Sequence, residues 1–266
     1  MPDKPLRGWE PLGFDFTFAF QPIVDLGSRS VFGYEALVRG REGQPAASVL
    51  AKVDAENREQ FDQATRLKTI SLAHRLFGNT DARLTINVSP NAVVEPARSV
   101  HTTVEICTAL GFPLDRLIFE MTEHETIENV AHLRSAVDHY RVHGLATAID
   151  DFGSGISGLT ILADFVPDYL KIDRALVRGV DGCGSRQAII DGILLIADRL
   201  GVKVVAEGIE REEELAYLAG CGIDLFQGYY IARPTFEAVP EIDFSRFPTV
   251  GGTRETAAPL LAAALA

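Results

Sequence analysis

Residues 17–38 read TFAFQPIVDLGSRSVFGYEALV and hold two apolar, strand-like runs, residues 17–24 and 31–38. The stretch between the runs, Asp25-Leu26-Gly27-Ser28-Arg29, is too short to contain a crossover helix, so it suits a hairpin. We therefore expect the first strand to run antiparallel to the second.

The rest of the chain alternates strand-like and helix-like segments. The further candidate strands are residues 84–88, 117–121, 146–149, 169–172, 203–206 and 224–230, and the clearest helical spacing lies over residues 187–200. Eight strands interleaved with helices predict an α/β fold, a modified TIM (β/α)8 barrel with one antiparallel strand near the N-terminus. We expect residues 1–13 to form a leader, residues 14–245 the barrel, and residues 246–266 a flexible tail.

Most of these strand-like runs end in a carboxylate or amide side chain, and the carboxyl ends of barrel strands meet at one rim. The residues concerned are Glu35, Asn87, Glu120, Asp150, Asp151, Asp173 and Glu207. Singly, each could be a helix cap or a loop residue, but Glu is a poor N-cap and three of the set are Glu. Because an unpaired buried charge costs several kcal/mol, a ring of acids requires positive charge among them. A pair of divalent metal ions is the simplest source.

Composition narrows the functional classes. The chain has 37 acidic and 25 basic residues, a formal net charge of −12, which argues against a nucleic-acid polymer or an anionic membrane as partner. The three cysteines form no CxxC pair, so neither a disulfide framework nor a structural zinc site is indicated. The N-terminus lacks an apolar signal-peptide core, and no apolar run approaches the roughly 18 residues of a membrane span. We therefore expect a soluble, cytoplasmic protein.

Taken together, the strand-end motifs resemble those of the EAL-domain phosphodiesterases, which hydrolyse the bacterial second messenger cyclic di-GMP. The resemblance covers residues 18–234, and its motifs stand in the family's order. They are Gln21-Pro22-Ile23, Glu35-Ala36-Leu37-Val38-Arg39, Asn87-Val88-Ser89, Glu120-Met121-Thr122-Glu123, Asp150-Asp151-Phe152-Gly153, Lys171-Ile172-Asp173, Ala206-Glu207-Gly208-Ile209-Glu210 and Gln227-Gly228-Tyr229.

The resemblance implies a site with two Mg²⁺ or Mn²⁺ ions. It implies that one ion is held by Glu35, Asn87, Glu120 and Asp150. Asp150 would bridge to a second ion, held also by Asp151 and, directly or through water, by Glu207. Hard cations of this kind prefer carboxylate and amide oxygens. Two such ions can clamp a phosphodiester and lower the pKa of a bridging water, so the nucleophile would be water and not a side chain.

The same resemblance implies roles for the other polar residues of the rim. Lys171 lies two residues before Asp173, so both side chains point to the same face of one strand. Lys171 would orient the attacking water and offset developing charge. Glu207 would assist removal of a proton from the water, with direct metal ligation as the competing role. Glu123, Asp173 and Glu210 would support the ligands from behind.

For the substrate, the resemblance points to residues that line the cyclic di-GMP groove, namely Gln21, Leu37, Arg39 and Gln227. The planar fork of Arg39 suits a phosphate or a guanine edge because it donates two hydrogen bonds at once. Leu37 would pack against a base. Since dimers are usual in the family, a homodimer is also expected.

The chain departs from the family pattern after the aspartate pair, with Ile156 where an aromatic residue is usual and Gly158 where serine is usual. In the family this loop helps to position the second metal and couples the subunits of dimers.

Two functions stay open: hydrolysis of cyclic di-GMP to linear pGpG, and a catalytically silent receptor or protein-interaction module on the same fold. Silent receptors typically lose acidic ligands, whereas this chain keeps all of them.

Overall fold

The computed structural model of the protein describes residues 12–89, 96–122, 130–155 and 158–248. The strands in these ranges are β1 Thr17–Asp25, β2 Ser30–Arg39, β3 Arg83–Asn87, β4 Leu117–Thr122, β5 Ala146–Phe152, β6 Tyr169–Ile172, β7 Lys203–Ala206, β8 Leu225–Phe226 and β9 Thr235–Phe236. The helices are α1 Ala46–Leu50, α2 Arg58–Phe77, α3 Pro96–Leu110, α4 Val130–Val142, α5 Gly158–Asp164, α6 Arg174–Val177, α7 Gly184–Leu200 and α8 Glu212–Gly220.

Strands β1 to β8 close into a barrel. The strands from β2 to β8 run parallel, whereas β1 pairs antiparallel with both β2 and β8. The short β9 pairs antiparallel with β1. The hairpin between β1 and β2 closes at the pair Asp25 and Ser30, where the sequence predicted it. The prediction of a modified TIM (β/α)8 barrel with one antiparallel strand near the N-terminus is confirmed.

Side chains fill the barrel interior at two levels. The lower level is an apolar cluster, formed by Ile23, Ile118, Ala148, Tyr169, Val205 and Leu225. Residues two positions apart in a strand point to the same side. The same strands therefore direct Glu120, Asp150 and Lys171 inwards, one level above this cluster. The barrel thus places its charged groups on top of an apolar plug, at the carboxyl ends of the strands.

The helices cover the outside of the barrel. Between barrel and helices lies a second and larger apolar cluster, to which α7 contributes Ile190, Ile193 and Ala197. Helix α7 contains the helix predicted over residues 187–200. In the part of the chain that the structure describes, no helix has both the length and the hydropathy needed to cross a bilayer.

The last barrel strand is shorter than predicted. The other predicted strands match to within three residues at each end, but β8 ends at Phe226 and not at residue 230. Beyond it, the amides of Ile231 and Ala232 both donate to the carbonyl of Gly228, which makes a tight turn. Only glycine fits there, because a Cβ would lie 2.2 Å from the carbonyl oxygen of Ile209. This turn holds Gln227 at the rim of the barrel.

Candidate metal centre and active site

The ammonium group of Lys171 occupies the centre of the rim, and Lys171 is only 1% exposed. Its Nζ lies within ion-pair distance of four carboxylates, which come from four different strands or strand ends. The distances are 2.6 Å to Glu207 Oε1, 3.0 Å to Glu120 Oε2, 3.0 Å to Asp150 Oδ1 and 3.4 Å to Glu35 Oε2. The structure therefore brings together the acids that the sequence placed at separate strand ends.

Glu35 is held by amide groups on both sides. Its Oε1 accepts a hydrogen bond from Asn87 Nδ2 at 3.0 Å, and its Oε2 accepts one from Gln227 Nε2 at 2.7 Å. Gln227 Nε2 also lies 3.3 Å from Gln21 Oε1, and Gln21 Nε2 donates to the carbonyl of Ala232. Because the side-chain amides of Asn87 and Gln227 both donate to it, the Glu35 carboxylate has a fixed orientation toward the centre of the rim.

Two groups of three carboxylates are close enough to share a cation, and they have one member in common. Glu35, Glu120 and Asp150 each offer an oxygen within 4.8 Å of the others, and so do Asp150, Asp151 and Glu207. These donors are all oxygens, the ligand type that Mg²⁺, Mn²⁺ and Ca²⁺ prefer. Among the described residues, Asp150 Oδ1 is buried and accepts no hydrogen bond, although it forms an ion pair with Lys171 Nζ at 3.0 Å. The two groups therefore supply oxygen donors for divalent metal binding, and Asp150 belongs to both.

An irregularity in β5 lets two consecutive acids face the same site. In a regular strand Asp150 and Asp151 would point to opposite faces. The register of β5 on β6 shifts between Ile149 and Phe152, and Asp151 adopts a left-handed conformation with φ +56°. Asp tolerates this conformation better than bulky residues, although it still costs free energy. The bulge was not predicted from the sequence, because no local signal distinguishes it from a regular strand end.

The charges of the cluster perturb one another strongly. Burial raises the pKa of Glu120 well above its usual range, and the neighbouring carboxylates Glu35 and Asp150 add to the effect of burial while Lys171 opposes it. Burial and the charge of Asp150 likewise raise the pKa of Glu207. Burial opposes the charge on Lys171, but the surrounding carboxylates outweigh it and raise the Lys171 pKa well above its usual value. A single ammonium does not neutralise this cluster.

The loop that carries Glu207 is fixed by contacts that the sequence did not reveal. Gly208 has φ +65°, and a Cβ there would lie 2.5 Å from Arg174 Cβ. Arg174 also pairs with Glu210 at 2.7 Å, so the segment after β6 braces the segment after β7. Both partners are nearly half exposed, and this ion pair contributes little by itself. The close approach at Gly208 is the stronger constraint.

Glu214 anchors the same loop from below. It lies in the first turn of α8, beside the acids Glu212 and Glu213. Its Oε2 accepts from the amides of Glu210 and Arg211, and its Oε1 accepts from the amide of Gly179 and from Arg211 Nε. Burial alone would raise the pKa of Glu214, but these hydrogen bonds lower it below the usual value.

The other predicted residues that the structure describes belong to neither carboxylate group. Asp173 caps α6, since its Oδ1 accepts from the amide of Ala175 at 2.8 Å. Leu37 and Arg39 follow Glu35 on the same face of β2 and are half-buried; Arg39 Nη1 donates to the carbonyl of Val38. Gly158 is buried at the start of α5. Predictions for Glu123 and Ile156 lie outside the described residues.

Comparison with known proteins identifies the family. A family model described as the EAL domain matches residues 13–234. The chain belongs to the EAL-domain family. Its relatives include BluF of Escherichia coli K12, a blue light- and temperature-regulated antirepressor, which is 32% identical over 225 residues covering 85% of this chain and 56% of BluF. An EAL relative from Pseudomonas aeruginosa named a cyclic di-GMP phosphodiesterase is 33% identical over 225 residues, 82% of this chain and 38% of that protein.

Solved EAL structures share the fold. A standalone versatile EAL protein from Vibrio cholerae O395, crystallised with cyclic di-GMP, superposes with a TM-score of 0.85 and 44% identity, covering 89% of this chain and all of that one. BlrP1 of Klebsiella pneumoniae, in a complex with manganese and cyclic di-GMP, has a TM-score of 0.81 and 35% identity over 87% of this chain and 59% of BlrP1. This chain spans about half the length, or less, of the two curated relatives described above.

Proposed function

We propose that this EAL domain hydrolyses cyclic di-GMP to linear pGpG with the help of two Mg²⁺ or Mn²⁺ ions. The observation that carries the proposal is that two sets of three carboxylates, each close enough to share a cation, have Asp150 in common. Relatives named cyclic di-GMP phosphodiesterases, and an EAL structure that holds both manganese and cyclic di-GMP, support the substrate and the metal class.

The donor set fits two hard cations. Glu35, Asn87, Glu120 and Asp150 would hold the first ion. Asn87 uses its Nδ2 to bind Glu35, and this orientation leaves its carbonyl oxygen as the group for the ion. Asp150, Asp151 and Glu207 would hold the second. When bound, the two ions would supply Lewis-acid catalysis and lower the pKa of a water that attacks phosphorus.

The chain's own residues orient the reactants. Lys171 would contact the attacking water and a phosphate oxygen, and its charge would stabilise the negative charge that develops in the transition state. Glu207 Oε1 lies 2.6 Å from Lys171 Nζ, and we propose that Glu207 assists deprotonation of the water. Its ligation of the second ion is the competing role.

Substrate contacts are proposed for Gln21, Leu37, Arg39 and Gln227. Leu37 and Arg39 extend from Glu35 along β2, which continues beyond the end of its parallel pairing with β3 at Ala36. Leu37 would pack against a base, and Arg39 would bind a phosphate or a guanine edge. Within the described part of the chain, Gln227 Oε1 is buried without a hydrogen-bond partner, so it is available to a donor on the ligand.

The proposal also includes assembly and location. We infer a homodimer, by analogy with the family, and size-exclusion chromatography with light scattering tests it directly. A cytoplasmic location follows from the proposed substrate, which is an intracellular messenger. Glu123, Asp173 and Glu210 are proposed to support the ligands and not to contact substrate. Asp173 and Glu210 do so through the cap of α6 and the pair with Arg174.

A second function has support from one relative. The alternative is a silent cyclic di-GMP receptor or protein-interaction module, and the name of BluF, an antirepressor, supports the protein-interaction form. The complete set of acidic donors favours the enzyme, because nothing in a silent receptor requires a carboxylate cluster of this charge.

Product analysis tests the proposal. The full chain is incubated with cyclic di-GMP and Mg²⁺, Mn²⁺, Ca²⁺ or EDTA, and the nucleotides are separated by chromatography. We expect pGpG with Mg²⁺ or Mn²⁺ and none with EDTA. Ca²⁺ should inhibit, because its longer and more flexible coordination does not hold the two-ion geometry.

Glu35→Ala should abolish turnover, while Glu213→Ala, on the exposed face of α8, serves as the matched control. Binding without hydrolysis under every condition would favour the silent receptor.

A further inference from the structure

Lys171 occupies the place of a cation in the carboxylate cluster. Glu35, Glu120, Asp150 and Glu207 surround its Nζ at distances from 2.6 to 3.4 Å, and the side chain is 1% exposed. A lysine ammonium has three N–H donors and one positive charge. It cannot give a hydrogen bond to each of four carboxylates, and it balances the charge of only one. Lys171 is therefore a partial substitute for the ions that this donor set suits.

The contacts of Lys171 involve the same carboxylates that a divalent ion would need. Glu120 Oε2 and Asp150 Oδ1 each lie 3.0 Å from Nζ, and both residues belong to the first carboxylate group. Glu207 Oε1, from the second group, lies 2.6 Å away. Direct ligation of Mg²⁺ or Ca²⁺ requires oxygens at about 2.0 to 2.6 Å from the ion. An ion that binds these carboxylates therefore has to share them with Lys171.

Lys171 cannot withdraw from the site. Its backbone lies in the middle of the barrel wall, where β6 pairs with β7 in the register Lys171 to Val205. Its side chain points inwards above the apolar cluster that includes Ile118 and Ala148, where a charge is unfavourable. The positive charge therefore remains beside the ions after they bind, and it repels them.

We propose that Lys171 is the internal counter-ion of the carboxylate cluster: it stabilises the protein before metal binds and weakens the affinity for divalent ions by competing for their ligands. This role rests on the proposed metal site and is additional to the proposed action of Lys171 on water and phosphate. It makes Lys171 a determinant of metal affinity as well as of turnover. Metal binding and folding stability, measured without substrate, report on it separately from catalysis.

The test compares Lys171→Met, which removes the charge but keeps the length of the side chain, with Lys171→Arg, which keeps the charge. Lys203→Met is the matched control, since Lys203 is exposed at the amino end of β7. Mn²⁺ affinity is measured by isothermal titration calorimetry, and thermal unfolding is followed in EDTA and in saturating Mn²⁺. The full chain is used throughout.

Lys171→Met should bind Mn²⁺ at least about tenfold more tightly than the wild type, because a unit charge no longer repels a doubly charged ion a few ångströms away. In EDTA its unfolding midpoint should fall by several degrees, and Mn²⁺ should restore it. Lys171→Arg and Lys203→Met should stay within about threefold of the wild-type affinity. A variant that folds only with Mn²⁺ also supports the proposal.

Three results would overturn the proposal. They are an unchanged or weaker Mn²⁺ affinity in Lys171→Met, an unchanged midpoint in EDTA, and a Lys171→Met protein that stays unfolded in saturating Mn²⁺. If the wild type itself binds no Mn²⁺, the proposed metal site fails and this inference fails with it. If the wild type binds Mn²⁺ and hydrolyses cyclic di-GMP while Lys171→Met binds no more tightly, only the counter-ion role is wrong.

Discussion

Replacing Asp150 by Asn removes a negative charge from the point where the two carboxylate groups overlap. Asp150 Oδ1 lies 3.0 Å from Lys171 Nζ, an attraction of about 5.5 kcal/mol at an effective dielectric constant of 20. Glu35, Glu120, Asp151 and Glu207 each offer an oxygen within 4.8 Å of Asp150. Each of them, when ionised, repels Asp150 by at least about 3.5 kcal/mol at the same dielectric constant. Two ionised neighbours are therefore enough to outweigh the ion pair.

We expect Asp150→Asn to lose activity without losing stability. In EDTA, its free energy of unfolding should equal the wild-type value or exceed it by about 1 to 2 kcal/mol, because protonation of neighbouring acids already relieves part of the repulsion. With Mn²⁺, cyclic di-GMP hydrolysis should fall at least about a thousandfold, since a shared ligand supports several kcal/mol of transition-state stabilisation. Chemical denaturation and product chromatography measure the two effects on the same preparation.

Asp191→Asn, on the exposed face of α7, is the control for a charge change outside the site. It should alter neither quantity. The reasoning would be refuted if Asp150→Asn lost about 3 to 5 kcal/mol in EDTA, the usual result of breaking a buried ion pair. Hydrolysis within about tenfold of the wild-type rate would refute the role of Asp150 as a shared ligand.

Three further predictions concern single residues. Lys171→Ala should lower kcat while leaving KM for cyclic di-GMP nearly unchanged, and steady-state kinetics would contradict this role if KM rose and kcat did not fall. Gly208→Ala should lower the free energy of unfolding by about 1 to 2 kcal/mol, because the backbone at this position is left-handed. It should also slow hydrolysis, because the added Cβ would displace the loop that carries Glu207. An unchanged rate and an unchanged unfolding midpoint would argue against this constraint. Glu214→Gln should cost about 1 to 3 kcal/mol at pH 7, since its NH₂ group would face backbone amides. The folded-state pKa of Glu214 is lowered, so this stabilisation is present above the unfolded-state pKa near 4.5 and is lost as the pH falls through the folded-state pKa. Denaturation at pH 7 and near pH 3 should therefore show that the difference in free energy of unfolding between wild type and variant becomes smaller at the lower pH. A difference that stays constant would show that the charge of Glu214 is irrelevant.

The sequence predicted the barrel because its signals are local. Apolar runs of strand length, helical spacing over residues 187–200 and the short turn before Ser30 each report on a few neighbouring residues. The convergence of Glu120, Asp150 and Lys171 then follows from the geometry of parallel strands, in which carboxyl ends share a rim. For these residues, knowledge of the strand positions was sufficient to predict that they lie together.

Other features depend on tertiary contacts and could not be predicted. The strand period of two places Asp151 on the outside, and only the bulge against β6 turns it toward the site. The turn that ends β8 early depends on the contact between Gly228 and Ile209. In a run of acids, nothing local distinguishes the buried Glu214 from its exposed neighbours.

The proposed mechanism depends on two divalent ions that share Asp150. The most direct measurement is anomalous diffraction from crystals of the wild-type protein grown with Mn²⁺ and cyclic di-GMP. We predict two anomalous peaks about 3.5 to 4 Å apart. One peak should contact Glu35, Asn87, Glu120 and Asp150, and the other should contact Asp150, Asp151 and Glu207. A map with one peak or none, in which Lys171 still contacts all four carboxylates, would contradict the claim.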